Sequence, residues 1–122
     1  MTGAAWPPET LETAEEVVLE TRGRRTGRPH RVTLWFAHED GGLWLRTDPD
    51  TDWYRNLVAE PRCRVILGQA AADAVREVVP DEERALRHLI DLWRPKYGAE
   101  WVADWYVERG RVPVRLRLVP PD

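Results

Sequence analysis

Residues 17–47, which read VVLETRGRRTGRPHRVTLWFAHEDGGLWLRT, contain three predicted strands and the two turns that join them. The strands cover 17–21, 30–38 and 43–47, where β-branched, aromatic and aliphatic side chains favour extended structure. The first turn is rich in glycine and arginine, and the second carries the hairpin signal Asp40-Gly41-Gly42. Strands that follow one another through tight turns pair antiparallel, so this stretch predicts an antiparallel sheet or barrel.

The rest of the chain extends this pattern into roughly six strands with three short helices. Further strands are predicted over 62–68, 72–79 and 111–119. A short helix that ends before Pro61 is expected to carry Trp53 and Leu57 on one face. A longer helix opens at 80–83 and keeps helical spacing to residue 97, with Pro95 weakening its last turn, and another short helix follows around 101–106. Residues 9–16 predict a helical turn or two. The length predicts one domain, residues 1–122, with residues 1–8 as a flexible N-terminal arm.

Missing residue types exclude several classes of function. The chain has no serine, so serine hydrolase chemistry is excluded, and its three histidines and one cysteine lack the spacing of a metal site. Cys63 lies in an apolar run and is expected to be a buried structural residue. No apolar run approaches the ~18 residues that span a bilayer, and the N-terminus lacks the pattern of a signal peptide. These features predict a cytoplasmic protein with no membrane span.

A cationic segment lies between the first two predicted strands. Residues 22–31 hold five arginines and no acid, although the whole chain carries 18 Lys and Arg against 21 Asp and Glu. Gly23 and Gly27 allow positive φ and expose backbone N–H groups, while the arginines and Thr26 add side-chain donors. This set of donors favours a cradle for a phosphate or carboxylate. The alternative is a solvated hairpin whose arginines only keep a sheet edge soluble.

Aromatic residues and one amide form a second candidate. These residues could line a pocket that suits a planar ligand, and they are Trp35, Trp44, Trp53, Tyr54 and Asn56. The alternatives are that the aromatic residues belong to the core and that Asn56 caps a helix. Trp93, Trp101 and Trp105 follow helical spacing and are expected in the core. The neighbouring loop carries Asp48, Asp50 and Asp52, which must point away from a bound anion or pair with the arginines.

Three motifs occur in an order that resembles a known family. They are Leu19-x-Thr21-x-Gly23-Arg24-Arg25-Thr26-Gly27-x-Pro29-x-Arg31 with Leu34-Trp35, then Trp53-Tyr54-x-Asn56-Leu57-x-Ala59-x-Pro61, then Val112-Pro113-Val114 with a strand that ends in Pro120. Over roughly residues 17–120 the chain is similar to the deazaflavin-dependent nitroreductase family. That family belongs to the wider FMN-binding split-barrel proteins, which are related to pyridoxamine-phosphate oxidases.

The resemblance implies a fold, a mainly β six-stranded antiparallel split β-barrel with short helices, and a coenzyme site. The coenzyme's phosphate and acidic tail would lie on the basic turn, and its ring near residues 47–53. The implied cofactor-binding residues are Arg24, Arg25, Thr26, Gly27, Arg31, Thr33, Trp35, Thr47, Asp48, Thr51, Trp53 and Asn56. The chain departs from the family pattern at Thr33, where proline is common, and in residues 47–52, which lack the family's serine and glycine pair. Tyr106 is the phenolic candidate for a catalytic proton donor.

The function that the resemblance implies is hydride transfer from a reduced 8-hydroxy-5-deazaflavin coenzyme, or from FMN, to a quinone or nitroaromatic. The cofactor would carry the chemistry and the protein would orient it. A split-barrel protein that binds the coenzyme without turnover is one alternative. A nucleic-acid binder is another, although the acidic remainder of the chain argues against it because phosphate-backbone binding needs a broad basic face. The resemblance also implies a homodimer.

Overall fold

A computed structural model describes residue 6, residues 8–98 and residues 111–119 of the chain. The helices are α1 (Pro8–Thr13), α2 (Asp52–Ala59) and α3 (Glu82–Tyr97). The strands are β1 (Glu16–Arg22), β2 (Pro29–Trp35), β3 (Ala37–Glu39), β4 (Gly42–Thr47), β5 (Arg62–Leu67), β6 (Ala70–Glu77) and β7 (Val112–Leu118). All strand pairs are antiparallel, and the sheet order is β2-β1-β5-β6-β7-β4-β3.

The run predicted as one strand over 30–38 is divided at Phe36. β2 pairs with β1 at one edge of the sheet, whereas β3 pairs with β4 at the opposite edge. Because a single residue separates β2 from β3, the sheet must curl until these edges approach, and this curl forms the barrel. Phe36 leaves the strand ladder because its N–H donates to the Tyr97 hydroxyl (3.1 Å) and its carbonyl accepts from Lys96 Nζ (3.1 Å). The predicted six strands are therefore seven.

The inside of the barrel holds the main core. Along β7, Val114, Leu116 and Leu118 are buried while Arg115 and Arg117 point outward, which confirms the predicted alternation. A fully buried leucine contributes about 1.5–3 kcal/mol relative to an exposed one. The main core also receives buried side chains from the short helices, with Leu11 from α1 and Leu57 from α2.

A second, smaller core lies outside the barrel under α3. The predicted helical spacing is confirmed, because the buried face of α3 consists of Leu86, Leu89, Ile90 and Trp93. The helix continues through Pro95 to Tyr97, and its last turn is closed by the Gly98 N–H, which donates to the Arg94 carbonyl (2.8 Å). The Tyr97 ring stacks on Trp35 with centroids 4.2 Å apart. α3 thereby fixes Trp35 at the end of β2.

Element boundaries differ from the prediction by a few residues. The strand predicted over 72–79 is β6 and lies two residues earlier, and the turn predicted over 9–16 is α1. Trp6 is 7 % exposed and packs in the main core, so this position of the predicted arm is anchored. The helix predicted around 101–106 lies outside the described residues. Within those residues, no helix has the length and apolar character needed to cross a membrane.

Candidate functional site

The basic turn connects β1 to β2 and is held by its own backbone. The Gly23 N–H donates to the Arg28 carbonyl (2.7 Å), and the Gly27 N–H donates to the Gly23 carbonyl (2.8 Å). Gly27 has φ +73°, a conformation that favours glycine. At Gly23 a Cβ would lie 2.8 Å from Nε2 of the exposed His30 side chain, which would have to shift to make room for it. The predicted positive φ is therefore found at Gly27 and not at Gly23, and the N–H groups predicted to be exposed at both glycines donate within the turn.

Arg24 and Asn56 fasten the basic turn to α2. Asn56 Oδ1 accepts from both the backbone N–H (3.2 Å) and Nη1 (2.8 Å) of Arg24, and Asn56 Nδ2 donates to Thr21 Oγ1 (3.3 Å). Asn56 and Thr21 are each 2 % exposed. This places Asn56 beside the cationic segment, as the coenzyme-site prediction required, but its polar atoms are occupied by the chain itself.

The tip of the turn presents donors that the described part of the chain leaves free. Arg25 and Arg28 are exposed, and neither guanidinium pairs with a carboxylate of the described residues. Among those residues, the backbone N–H groups of Arg25 and Thr26 likewise have no acceptor. Thr26 Oγ1 accepts from the Arg28 N–H (3.2 Å), which leaves its hydroxyl hydrogen available. We call Arg25, Thr26 and Arg28 the anion cradle.

The acidic loop beside the turn pairs with arginines. Asp52 Oδ1 lies 3.2 Å from Arg24 Nη2, and Asp48 forms an ion pair with Arg111, the residue before β7. The Asp48 carbonyl accepts from the hydroxyls of both Thr47 and Thr51 (3.1 Å each). Pairing with an arginine of the basic turn, one of the two possibilities left open by the sequence, is therefore found for Asp52, whereas Asp48 pairs with an arginine outside the turn.

The outer face of β2 brings together three predicted site residues. Arg31, Thr33 and Trp35 alternate with the inward-facing Val32 and Leu34. Arg31 and Thr33 are exposed, and Arg31 Nη2 lies 3.3 Å from Glu20 Oε2. Trp35 is half-buried because Tyr97 covers one face of its ring. A ligand on this strand would meet a hydroxyl and a cation before reaching the indole.

A groove of about 580 Å³ opens beside the basic turn, between the ends of β1, β5 and β6. It is lined by Arg22, Arg62 and Arg64, and also by three acids, Glu20, Glu60 and Asp73. Hydrogen bonds from Arg62 lower the pKa of Glu60 to about 2, so this pair is ionised at neutral pH. Because its charges balance, the groove favours an anion less than the cradle does.

The remaining predicted residues fall into the core or outside the described residues. Trp53 is 9 % exposed and packs in the main core, so it offers no open face to a planar ligand. Cys63 is buried, and burial raises the pKa of its thiol to about 12, which confirms its structural character. The described residues contain no cluster of metal-ligating side chains. Tyr106, Trp101 and Trp105 lie outside the described residues.

The sequence placed Tyr97 in the helical spacing of α3, but it predicted neither the contacts of Tyr97 with Phe36 nor those of Lys96. Lys96 Nζ lies 3.5 Å from the centroid of the Phe36 ring and donates to the carbonyls of Phe36 (3.1 Å) and Leu11 (3.2 Å). The signal available was that Lys96 is the only lysine among 18 basic residues. A compact ammonium can serve two carbonyls and a ring at once, where the planar fork of arginine fits poorly.

A family model and several solved structures match the chain. The model described as F420H(2)-dependent quinone reductase matches residues 5–117. An F420 reductase is 20 % identical with a TM-score of 0.64, and the alignment covers 91 % of each chain. A candidate pyridoxamine 5′-phosphate oxidase from Listeria innocua is 16 % identical with a TM-score of 0.66, covering 93 % of this chain and 90 % of that one. The heme storage protein HutZ from Vibrio cholerae is 18 % identical with a TM-score of 0.70, covering 93 % and 87 %. These likenesses show the split-barrel fold.

Proposed function

Because the chain belongs to the F420H(2)-dependent quinone reductase family, we propose that it is a deazaflavin-dependent oxidoreductase that reduces a quinone or a nitroaromatic. The observation that carries this proposal is the anion cradle, whose two exposed arginines and free backbone N–H groups suit the phosphate and carboxylates of such a coenzyme. When bound in its reduced form, the coenzyme supplies the hydride. FMN, which also carries a phosphate, is the alternative cofactor.

The chain's own residues would bind and orient the coenzyme. Arg25 and Arg28 would neutralise its anionic groups, with Thr26 as a hydroxyl donor. Thr33 and Arg31 lie on the next strand along and extend this polar surface toward Trp35. Thr47 and Thr51 fix the loop before α2 through the Asp48 carbonyl, so the loop enters the site with its hydroxyls already occupied. Tyr106 stays a proposal for the proton donor.

The first prediction concerns coenzyme binding. Titration of the protein with the deazaflavin coenzyme and with FMN should quench tryptophan fluorescence, with tighter binding of the deazaflavin. The double variant Arg25→Ala/Arg28→Ala should weaken binding at least tenfold, because each charge-assisted hydrogen bond contributes about 1.5–3 kcal/mol when it is well formed. Arg87→Ala is the matched control, since Arg87 is an exposed arginine on α3. Absence of binding to either coenzyme at tens of micromolar would contradict the proposal.

A coenzyme-binding protein without turnover is the second candidate. It is favoured by the acidic loop, because Asp52 already occupies Arg24 and Asp48 already occupies Arg111 on the side of the turn where the ring is expected. Tight coenzyme binding with no reduction of any quinone or nitroaromatic in a panel would favour this candidate. If the protein accelerates the reduction of even one compound of the panel by the reduced coenzyme, the protein is an enzyme and this second candidate is wrong.

We also propose that the protein is a homodimer through the outer face of β2, β1, β5 and β6. α3 covers the outer face of β2 at Trp35. Arg31, Glu20, Arg64 and Asp73, on β2, β1, β5 and β6, form a row across the four strands. The charges along the row alternate. A two-fold axis through its centre places Arg31 against Asp73 of the partner subunit, so the row is complementary to itself.

This proposal predicts a result in mass measurements at low salt. Arg31→Asp places two acids opposite each other at both ends of the row and should shift the protein toward monomer. The exchange Arg31→Asp/Asp73→Arg restores opposite charges and should restore the dimer. Sedimentation equilibrium distinguishes the two states. An unchanged mass for Arg31→Asp would show that this face is not the interface.

A further inference from the structure

We propose that the arginines of the basic turn divide the work: Arg24, held by Asn56, positions the anion cradle, whereas Arg25 and Arg28 bind the anion. This makes Asn56 a positioning residue that acts on the ligand without touching it. The inference rests on the proposed function only in taking the cradle as a site for an anion. It assigns different roles to Arg24 and Arg25, which are adjacent in the sequence and identical in type.

The case for Asn56 starts from its burial and its contacts. Its side chain is 2 % exposed, so a ligand at the surface cannot reach it. Its carbonyl oxygen holds two donors of one residue, the backbone N–H of Arg24 and the Nη1 of the same side chain. Its amide group donates to Thr21, the last buried residue of β1 before the turn. Asn56 therefore ties together the strand, the turn and α2.

Arg24 differs from its neighbours because its guanidinium is already used. Nη1 donates to Asn56 Oδ1 (2.8 Å) and lies 3.5 Å from the Asp52 carbonyl, while Nη2 pairs with Asp52 Oδ1 (3.2 Å). Its side chain is 22 % exposed. Binding a ligand through Arg24 would require breaking these contacts, whereas Arg25 and Arg28 can bind with none to break within the described residues.

The division of work follows from what the Arg24 backbone bond does to the tip of the turn. The two free N–H groups of the cradle belong to Arg25 and Thr26, the residues directly after Arg24. Fixing the peptide at Arg24 fixes the direction of the chain that carries them. Without Asn56 the turn keeps only its own backbone bonds at Gly23 and Gly27. Part of the ordering of its tip then takes place when the anion binds, and that cost reduces affinity even though no ligand contact is lost.

The test uses the full-length protein and inorganic pyrophosphate as the probe, measured by calorimetry over a range of salt concentrations. Asn56→Ala should weaken pyrophosphate binding at least fivefold with an unchanged salt dependence, because no ligand charge partner is removed. Arg25→Ala should weaken binding and also flatten the salt dependence. Leu57→Val, at a buried neighbour of Asn56 in α2, is the matched control for destabilisation and should bind within twofold of the wild type.

Two further results decide the matter. Asp52→Asn should change pyrophosphate affinity by no more than Asp50→Asn does, since each removes one acid of the same loop and Asn56 still holds Arg24. An affinity at least fivefold higher in Asp52→Asn than in Asp50→Asn would show that Arg24 binds the ligand in competition with Asp52, and would overturn the inference. Wild-type affinity in Asn56→Ala would overturn it as well, and so would a wild-type protein that does not bind pyrophosphate. A protein that binds pyrophosphate in the expected pattern but neither coenzyme would retain this inference and lose the proposed function.

Discussion

Phe36→Ala is expected to lower the free energy of unfolding by roughly 3–5 kcal/mol, the range found when a buried phenylalanine is truncated. Phe36 is fully buried and stands at the single position where the chain passes from one edge of the sheet to the other. Its ring fills the corner below Lys96, and its removal leaves a cavity as well as lost apolar burial. Domains of this size have about 5–15 kcal/mol of stability in total, so the variant should be marginally folded.

Urea denaturation followed by tryptophan fluorescence measures this loss. Val58→Ala provides the control, because Val58 is 53 % exposed and its truncation should change stability by less than about 0.5 kcal/mol. If Phe36→Ala lowered the free energy of unfolding by less than about 1.5 kcal/mol, the residues around Phe36 would be able to close the cavity. The tight packing described for the Phe36 ring would then be wrong.

A pH-dependent gain in stability is expected from Lys96. Burial lowers the pKa of Lys96 from 10.5 to about 8 in the native protein, while the unfolded chain keeps the higher value. Below pH 8 both states are protonated and the cost of burying the ammonium is fully present. Between about pH 8 and pH 10.5 the unfolded state binds more protons than the native state, so the free energy of unfolding rises with pH. Because the side chain is only partly buried, the gain from this group should be about 1–2 kcal/mol.

Denaturation curves of the wild type and of Lys96→Met at pH 7 to 10.5 isolate this contribution as a difference. The comparison is needed because burial raises the pKa of Cys63 to about 12, and its unfolded-state ionisation destabilises the fold above pH 9 in both proteins. Between pH 8 and pH 10.5 the free energy of unfolding of the wild type should rise relative to that of Lys96→Met. A constant difference between them would show that Lys96 keeps its ordinary pKa in the native state.

Local patterns in the sequence predicted most of the elements. The alternation of β7, the buried face of α3 and the burial of Cys63 follow from residues close together in the chain, where side-chain period and polarity decide the outcome. The break at Phe36 could not be found this way. Residues 30–38 are an unbroken run of strand formers, and the groups that interrupt them, on Lys96 and Tyr97, are 60 and 61 residues away.

The candidate site was likewise predicted where its signals are local in the sequence, and missed where they depend on contacts between distant residues. Glycine at positions 23 and 27 and the density of arginine are local signals, and they identified the turn. Nothing local separates Arg24 from Arg25, because the difference is a contact to Asn56, 32 residues later. The continuation of α3 past Pro95 is also a tertiary effect, since Lys96 and Tyr97 are anchored on the barrel.

The passage of one peptide run from β2 to β3 has a consequence for how the domain comes apart. A strand at the edge of an open sheet can fray by itself, because it has neighbours on one side only. Here the two edge strands are joined through Phe36, so loosening β2 from β1 pulls on β3 and its pairing with β4. The two edge strands are therefore expected to unfold together, which favours a single cooperative unfolding transition over stepwise loss of strands.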